Sequence, residues 1–186
     1  MSENRLYRTM YEVCRVINSS LEPTDVLEKI AERVTWAMDA KGCFIRLLSR
    51  DGKRLKPAAY YGLSERYAQK GEVQVAQSGL DEEVLKGGLV AIKDAATDPR
   101  FHYKEEAKTE GLVSVLVAPL AAADKRVIGV LRVYSGEERE FTGEEREFLT
   151  AIAALSAIAL ENARMYKALK RAHELTTAYN YQVFEE

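Results

Sequence analysis

The sequence predicts an α/β fold of the α+β kind, a largely antiparallel sheet with helices on both of its faces. Three observations predict it. Apolar residues recur at helical spacing near the two ends of the chain and at strand spacing between them. The strand-like runs are joined by tight turns, Ser49-Arg50-Asp51-Gly52-Lys53 and Asp124-Lys125-Arg126, and such short links join antiparallel neighbours. After Gly143 no proline or glycine interrupts the chain, so its last stretch reads as one long helix.

In chain order, Leu6, Met10, Val13 and Ile17 give Asn4 to Asn18 a narrow apolar helical stripe. Pro23, whose fixed φ suits a first turn, opens a second helix that buries Val26, Leu27, Ile30, Val34 and Met38. Cys43 to Leu48 and Leu55 to Tyr61 are the arms of a hairpin around Asp51-Gly52. Val73-Gln74-Val75 is a short extended piece. Ser78 caps a helix that stops at Gly87-Gly88, and Leu89 to Ile92 is a strand. Asp98-Pro99 reads as a further helix start, and a polar helix from about Tyr103 to Glu110 ends at Gly111. Leu112 to Pro119 and Val127 to Tyr134 are β-rich runs. Thr142-Gly143-Glu144-Glu145 is a capping box, in which threonine and glutamate each satisfy a backbone amide of the helix start.

Composition removes several function classes. With 27 basic and 29 acidic residues and a net charge of −2, no basic face for nucleic acid is expected. Two cysteines and two histidines form neither a disulfide framework nor a metal-ligand spacing. The first residues carry no apolar segment, and Thr150 to Leu160 is too short and alanine-rich to span a bilayer, so a cytoplasmic location is expected. No nucleophile–base pair or glycine-rich phosphate loop stands out, so no enzyme activity is expected.

Ordered across nearly the whole chain are Ile92-Lys93-Asp94 leading to Asp98-Pro99-Arg100, then Pro119-Leu120, Ile128-Gly129-Val130-Leu131 and Glu161-Asn162-Ala163-Arg164. In this order the sequence resembles a GAF domain. The resemblance implies one domain over residues 1–186, with an N-terminal helix over 1–19 and a long C-terminal helix over 144–183. It implies a six-stranded antiparallel sheet, terminal helices on one face, and a small-molecule pocket under short helices on the other. It also implies a sensor role in signal transduction, coupled to a histidine kinase or another effector. The ligand and any cofactor stay open, because a fold does not name its ligand.

Strand alternation gives the pocket a test. Phe44, Arg46 and Leu48 share one face of their strand, and Ile128, Val130, Arg132 and Tyr134 one face of theirs. By resemblance the two strands are neighbours, so Arg46 and Arg132 both face the pocket. Buried guanidinium needs a partner, and it suits carboxylate or phosphate. The two arginines are therefore expected to bind an anionic ligand, the alternatives being that each pairs with an acid such as Asp81 or Glu106 or reaches solvent. Matching to cyclic-nucleotide-binding relatives suggests further walls: Phe44, Tyr60, Tyr61, Leu80, Asp81, His102, Glu106, Leu112 and Ser114. The extended motif of those relatives is not recognisable here. Bilin attachment lacks a cysteine in the segment from Asp98 to Leu112, and His102 reads as a surface residue rather than a haem ligand. Cys14 and Cys43 do not reproduce the arrangement of the methionine-sulfoxide-reductase members.

The long helix repeats Phe148, Ile152, Leu155, Ala159, Asn162, Tyr166, Leu169, His173, Thr176 and Tyr179 at spacings of three and four, beyond what the sheet can cover. A stripe that outlasts its domain finds a partner helix. A homodimer through the helices Leu6–Ile17 and Phe148–Tyr179 is expected, with Asn162 setting register. The unbroken helix up to Glu186 fits a chain that continues into an effector. The alternatives are a ligand-free interaction module and, less favoured, a thiol redox enzyme.

Overall fold

The computed structural model describes residues 3–19 and 22–183, the side chains of Glu3, Ser19 and 175–183 excepted. Helices α1 (Glu3–Ser19) and α2 (Pro23–Ala37) lead into the hairpin β1 (Gly42–Leu48) and β2 (Arg54–Tyr61). A single-turn helix α3 (Glu65–Ala68), strand β3 (Val73–Gln74), a 3-10 turn (Val75–Gln77) and α4 (Gly79–Leu85) follow. Then come β4 (Val90–Ile92), α5 (Lys104–Glu110), β5 (Ser114–Ala121), β6 (Val127–Ser135) and α6 (Gly143–Val183). The strands form one six-stranded sheet in the order β3-β2-β1-β6-β5-β4, every pairing antiparallel.

The ends of the elements follow local chemistry. Pro23 sits at the start of α2. The Ser78 hydroxyl accepts from the Asp81 amide at the head of α4, and Gly111 closes α5 at φ 70°, where a side chain would be strained. The capping box forms as expected. The Thr142 amide donates to Glu145 Oε2 at 2.9 Å, and the Glu145 amide to Thr142 Oγ1 at 3.2 Å.

Asp98-Pro99 is different from expectation. No helix starts there; the Asp98 carboxylate instead accepts from the backbone and guanidinium of Arg100 at 2.7–3.1 Å, and α5 begins only at Lys104. With no helix there, Asp98-Pro99 has no row of free amides to offer an anion. α3 lies in a segment that carries no helical period.

Each face of the sheet has its own core. Under α1, α2 and α6 lie Ile30, Val34, Cys43, Ile45, Leu116, Leu131, Ile152 and their neighbours. Under α3, α4 and α5 lie Phe44, Leu55, Leu80, Ile92, Val117, Val130 and Tyr134 among others. Alternation along β1 is as the sequence predicts. Ile128 is the exception: it packs on the terminal-helix side, because the β5–β6 register shifts between Leu120 and Ala121. By length and composition alone α6 is apolar enough to cross a bilayer, contrary to expectation, with mean hydropathy 1.3 in its most apolar window. In the fold, Leu149, Ile152, Ala153 and Ala157 of that helix are core residues.

Candidate functional site

Pairing of β1 with β6 sets Phe44 opposite Arg132 and Arg46 opposite Val130, so the two arginines are diagonal neighbours on one face. Both are buried, Arg46 at 0 % and Arg132 at 2 % exposure. An arginine that deep must find acceptors. Arg132 takes Asp81 of α4 as an ion pair through Nη2. Arg46 has no carboxylate. Its Nη1 donates to Gly71 O at 2.9 Å and to Leu55 O at 3.3 Å, and its guanidinium lies 4.1 Å from the centre of the Phe44 ring.

These contacts leave much of the polar surface unused. Arg46 Nε and Nη2, Arg132 Nε, Asp81 Oδ2, the hydroxyls of Tyr67 and Tyr134, and Lys70 Nζ are all shielded from water without a hydrogen-bond partner among the described residues. Six of these seven atoms are donors. Lys70, from the loop between α3 and β3, holds its ammonium 3.7 Å from the centre of the Tyr67 ring and 4.2 Å from that of Tyr103. Tyr67 and Tyr134 meet edge to face at 5.8 Å.

The electrostatics are those of a cation cluster short of negative charge. Burial, reinforced by the charges of Arg132 and Arg46, lowers the Lys70 amine to about 7. Burial and Arg132 lower Arg46 to about 10. Burial would lower Arg132 too, but the Asp81 carboxylate and the Tyr134 phenol together outweigh it and hold that guanidinium above its ordinary value. Burial and the adjacent Tyr134 raise the Tyr67 phenol, which stays a protonated donor.

Of the residues singled out in the sequence, Phe44, Arg46, Arg132, Asp81, Leu80, Leu112 and Tyr60 all belong to this side of the sheet. Tyr60 packs against Phe44, ring centres 5.7 Å apart. Glu106 and His102 are exposed at its margin. Tyr61 and Ser114 lie elsewhere. The β1–β2 register shifts at Ala58, which puts Tyr60 rather than Tyr61 on the face of Leu55; Tyr61 packs under the terminal helices. Ser114 shares the alternation of Leu116 and Ala118, which also face those helices. Its hydroxyl donates to Lys93 O or Glu137 O and accepts from the Arg139 amide at 2.9 Å, knotting the end of the sheet. The cluster also holds Lys70, Tyr67 and Tyr134, none of them among the site residues expected from the sequence. Tyr134 shares the Arg132 face by alternation and was legible; Lys70 and Tyr67 sit in a polar stretch without periodicity.

The cysteines are remote from this cluster. Cys43 is buried on the opposite face, where burial pushes its thiol up, and Cys14 is exposed on α1. Among the described residues no group of three His, Cys, Asp or Glu side chains is placed to hold a metal ion.

The chain is similar in structure to the GAF domain of an Acinetobacter phosphoenolpyruvate-protein phosphotransferase, at 24 % identity and a TM-score of 0.73, covering 89 % of this chain and 97 % of that one. The corresponding domain from Coxiella burnetii matches at 18 % identity and a TM-score of 0.80, covering 90 % and 99 %. A free methionine-R-sulfoxide reductase from Neisseria meningitidis, solved with its substrate, matches at 19 % identity and 0.74, covering 89 % and 95 %. At such identities these likenesses speak for the fold alone. No curated protein sequence matches. The family profile described as GAF domain matches residues 20–161, and on that match over most of its length the chain belongs to the GAF family of signalling and sensor-type domains.

Proposed function

We propose that this chain is a cytosolic regulatory domain that binds a small anionic ligand between β1, β6 and the cover of α3, α4 and α5, and transmits its state through paired terminal helices to an effector. The observation that carries the reading is the set of six buried donors around Arg46 and Arg132 whose atoms have no hydrogen-bond partner among the described residues. Native proteins pair nearly all such atoms, and unpaired clusters mark places where something else supplies the partner.

A route from the site to the helices supports the second half. Arg132 is on β6, and the segment after β6 carries Arg139. That side chain bonds Glu145 in the first turn of α6 and donates to Met38 O at 3.2 Å, just past α2. A shift of β6 would reach both helices through one residue. On α6 the exposed side chains Ile158, Asn162, Met165 and Leu169 continue the part-buried Leu155 at spacings of three and four, a seam that the described part of the chain leaves uncovered. The basic residues Arg164, Lys167, Lys170 and Arg171 all fall off that seam. A parallel pairing of two chains is what such a stripe accommodates, with Asn162 fixing the register.

The second reading is a ligand-free interaction module. The Arg132–Asp81 pair favours it, because one arginine already has its counter-charge. A thiol redox reading has no support from Cys14 and Cys43, which lie apart from the cluster. Calorimetric titration with a panel of small anions decides between the first two. Binding to wild type that is lost in Arg46→Gln and in the charge-neutral double variant Asp81→Asn/Arg132→Gln supports the sensor; heat-free titrations throughout, in a protein that stays dimeric, support the module.

A further inference from the structure

We propose that the ligand is a compact dianion, a tetrahedral oxyanion head group or a short dicarboxylate, and that Lys70 closes over it as the third cation with Tyr67 and Tyr134 donating their hydroxyls. The inference rests on the anion-binding reading and narrows it. Charge sets the valence: with the Lys70 amine protonated, as a bound dianion favours, Arg46, Arg132 and Lys70 supply three positive charges and Asp81 one negative, all buried or shielded. A net charge of two in a water-poor site is neutralised by two negative charges, whereas a monoanion leaves one charge uncompensated.

Geometry gives Lys70 its part. The ammonium has aromatic faces on two sides, Tyr67 and Tyr103, which attract the cation but accept no ordinary hydrogen bond, so the side of the ammonium that the rings leave uncovered remains for an anion. The next residue, Gly71 at φ 97°, presents the carbonyl that anchors Arg46, so lysine and arginine approach through one loop. That loop follows α3, which is tied to α5 by the Ser64 amide and hydroxyl donating to Glu110 at 2.6 and 2.5 Å.

The groups facing Lys70 are Arg46 on β1, Arg132 and Tyr134 on β6, Tyr67 on α3, Asp81 on α4, Tyr103 before α5 and Glu106 on α5. With its amine near 7, much of the unliganded protein above that pH holds Lys70 neutral. A bound dianion favours the ammonium, so binding above pH 7 draws a proton from solution.

The test uses sulfate and malonate, both fully ionised above pH 7, against acetate. Titration calorimetry at pH 8 is run in two buffers of different ionisation enthalpy, on wild type and Lys70→Met. The expected result is that sulfate or malonate binds wild type at least tenfold more tightly than acetate and takes up a fraction of a proton. Lys70→Met should lose about tenfold in dianion affinity together with the proton uptake, while melting no lower than wild type without anion. Preference for sulfate assigns a phosphate-like head group, and preference for malonate a dicarboxylate. Acetate binding as tightly as both, or a Lys70→Met variant unchanged in affinity and proton uptake, overturns the dianion while the anion-binding reading survives through its dependence on Arg46. Absence of binding by all three overturns both.

Discussion

The two faces of the sheet are built to different standards. Under the terminal helices the core is apolar and its few polar groups find partners: Thr35 donates to Ala31 O and Ser156 to Ile152 O, each at 2.8 Å within its own helix, and Ser114 bonds the backbone at the end of the sheet. All seven described buried side-chain atoms without a partner lie on the other face. The same strands serve both, with Cys43 and Ile45 turned one way and Phe44 and Arg46 the other. One side of the sheet therefore carries stability, and the other gives some of it up where local rules and function diverge.

The contrast is broken most sharply at Asp81. Asp81→Ala leaves Arg132 buried without a counter-charge and should lower unfolding free energy by about 4 kcal/mol, read by chemical denaturation. Asp81→Asn/Arg132→Gln should recover most of that loss, because neither charge is then stranded. On the opposite face Ile30→Ala removes a fully buried side chain and should cost about 3 kcal/mol through lost burial and the cavity left behind. Anion affinity should be unchanged by it. A matching loss of affinity would mean that the two cores are not separable.

A smaller effect is set by pH. In the folded chain the Lys70 amine lies near 7, and in the unfolded chain near its ordinary 10.5. Between those values the unfolded state holds more protons, so this group makes stability rise as pH increases from about 7 to about 10. Lys70→Met should flatten that rise, measured as the difference between the two proteins' denaturation midpoints across the window. Saturating dianion should flatten it in wild type as well, because the ligand supplies the negative charge that the unliganded site lacks.

The sequence made the sheet legible because its signals are local and redundant: the Asp51-Gly52 turn, the Ser78 cap and the Thr142–Glu145 box each act within a few residues. It made half of the site legible, since alternation puts Arg46 and Arg132 on one face once β1 and β6 are neighbours. Alternation also misled. The shift near Leu120 turns Ile128 away, and one extra residue at Ala58 parts Tyr61, expected in the pocket by likeness to cyclic-nucleotide-binding relatives, from Tyr60; a bulge has no dependable sequence signal. Lys70 was hidden for another reason. A single-turn helix has no period, and a lysine next to glycine reads as a solvated loop until the chain is closed over Tyr67 and Tyr103.

The weakest effect on stability should come from the α6 seam, where the effect on assembly should be large. Leu169 is 71 % exposed and Met165 62 % exposed, so neither contributes to the core of one chain. Thr176 and Tyr179, which extend the expected stripe, have side chains outside the described residues. The stripe expected from the sequence, Phe148, Ile152, Leu155, Ala159, Asn162, Tyr166 and Leu169, divides in the fold. Phe148 and Ile152 are buried with Leu149, Ala153, Ser156 and Ala157, while Leu155, Asn162 and Leu169 join Ile158 and Met165 in the outward row. Met165→Glu/Leu169→Glu puts four like charges into a paired seam and none into the monomer's core. Sedimentation should then show a dimer for wild type and a monomer for the variant, with unfolding of the monomer within about 0.5 kcal/mol of that expected for surface changes. Tyr166→Glu, one step aside from the row, should weaken the dimer less. Equal disruption by both would shift the contact face around the helix, and a wild type that sediments as a monomer at high micromolar concentration would remove the pairing altogether.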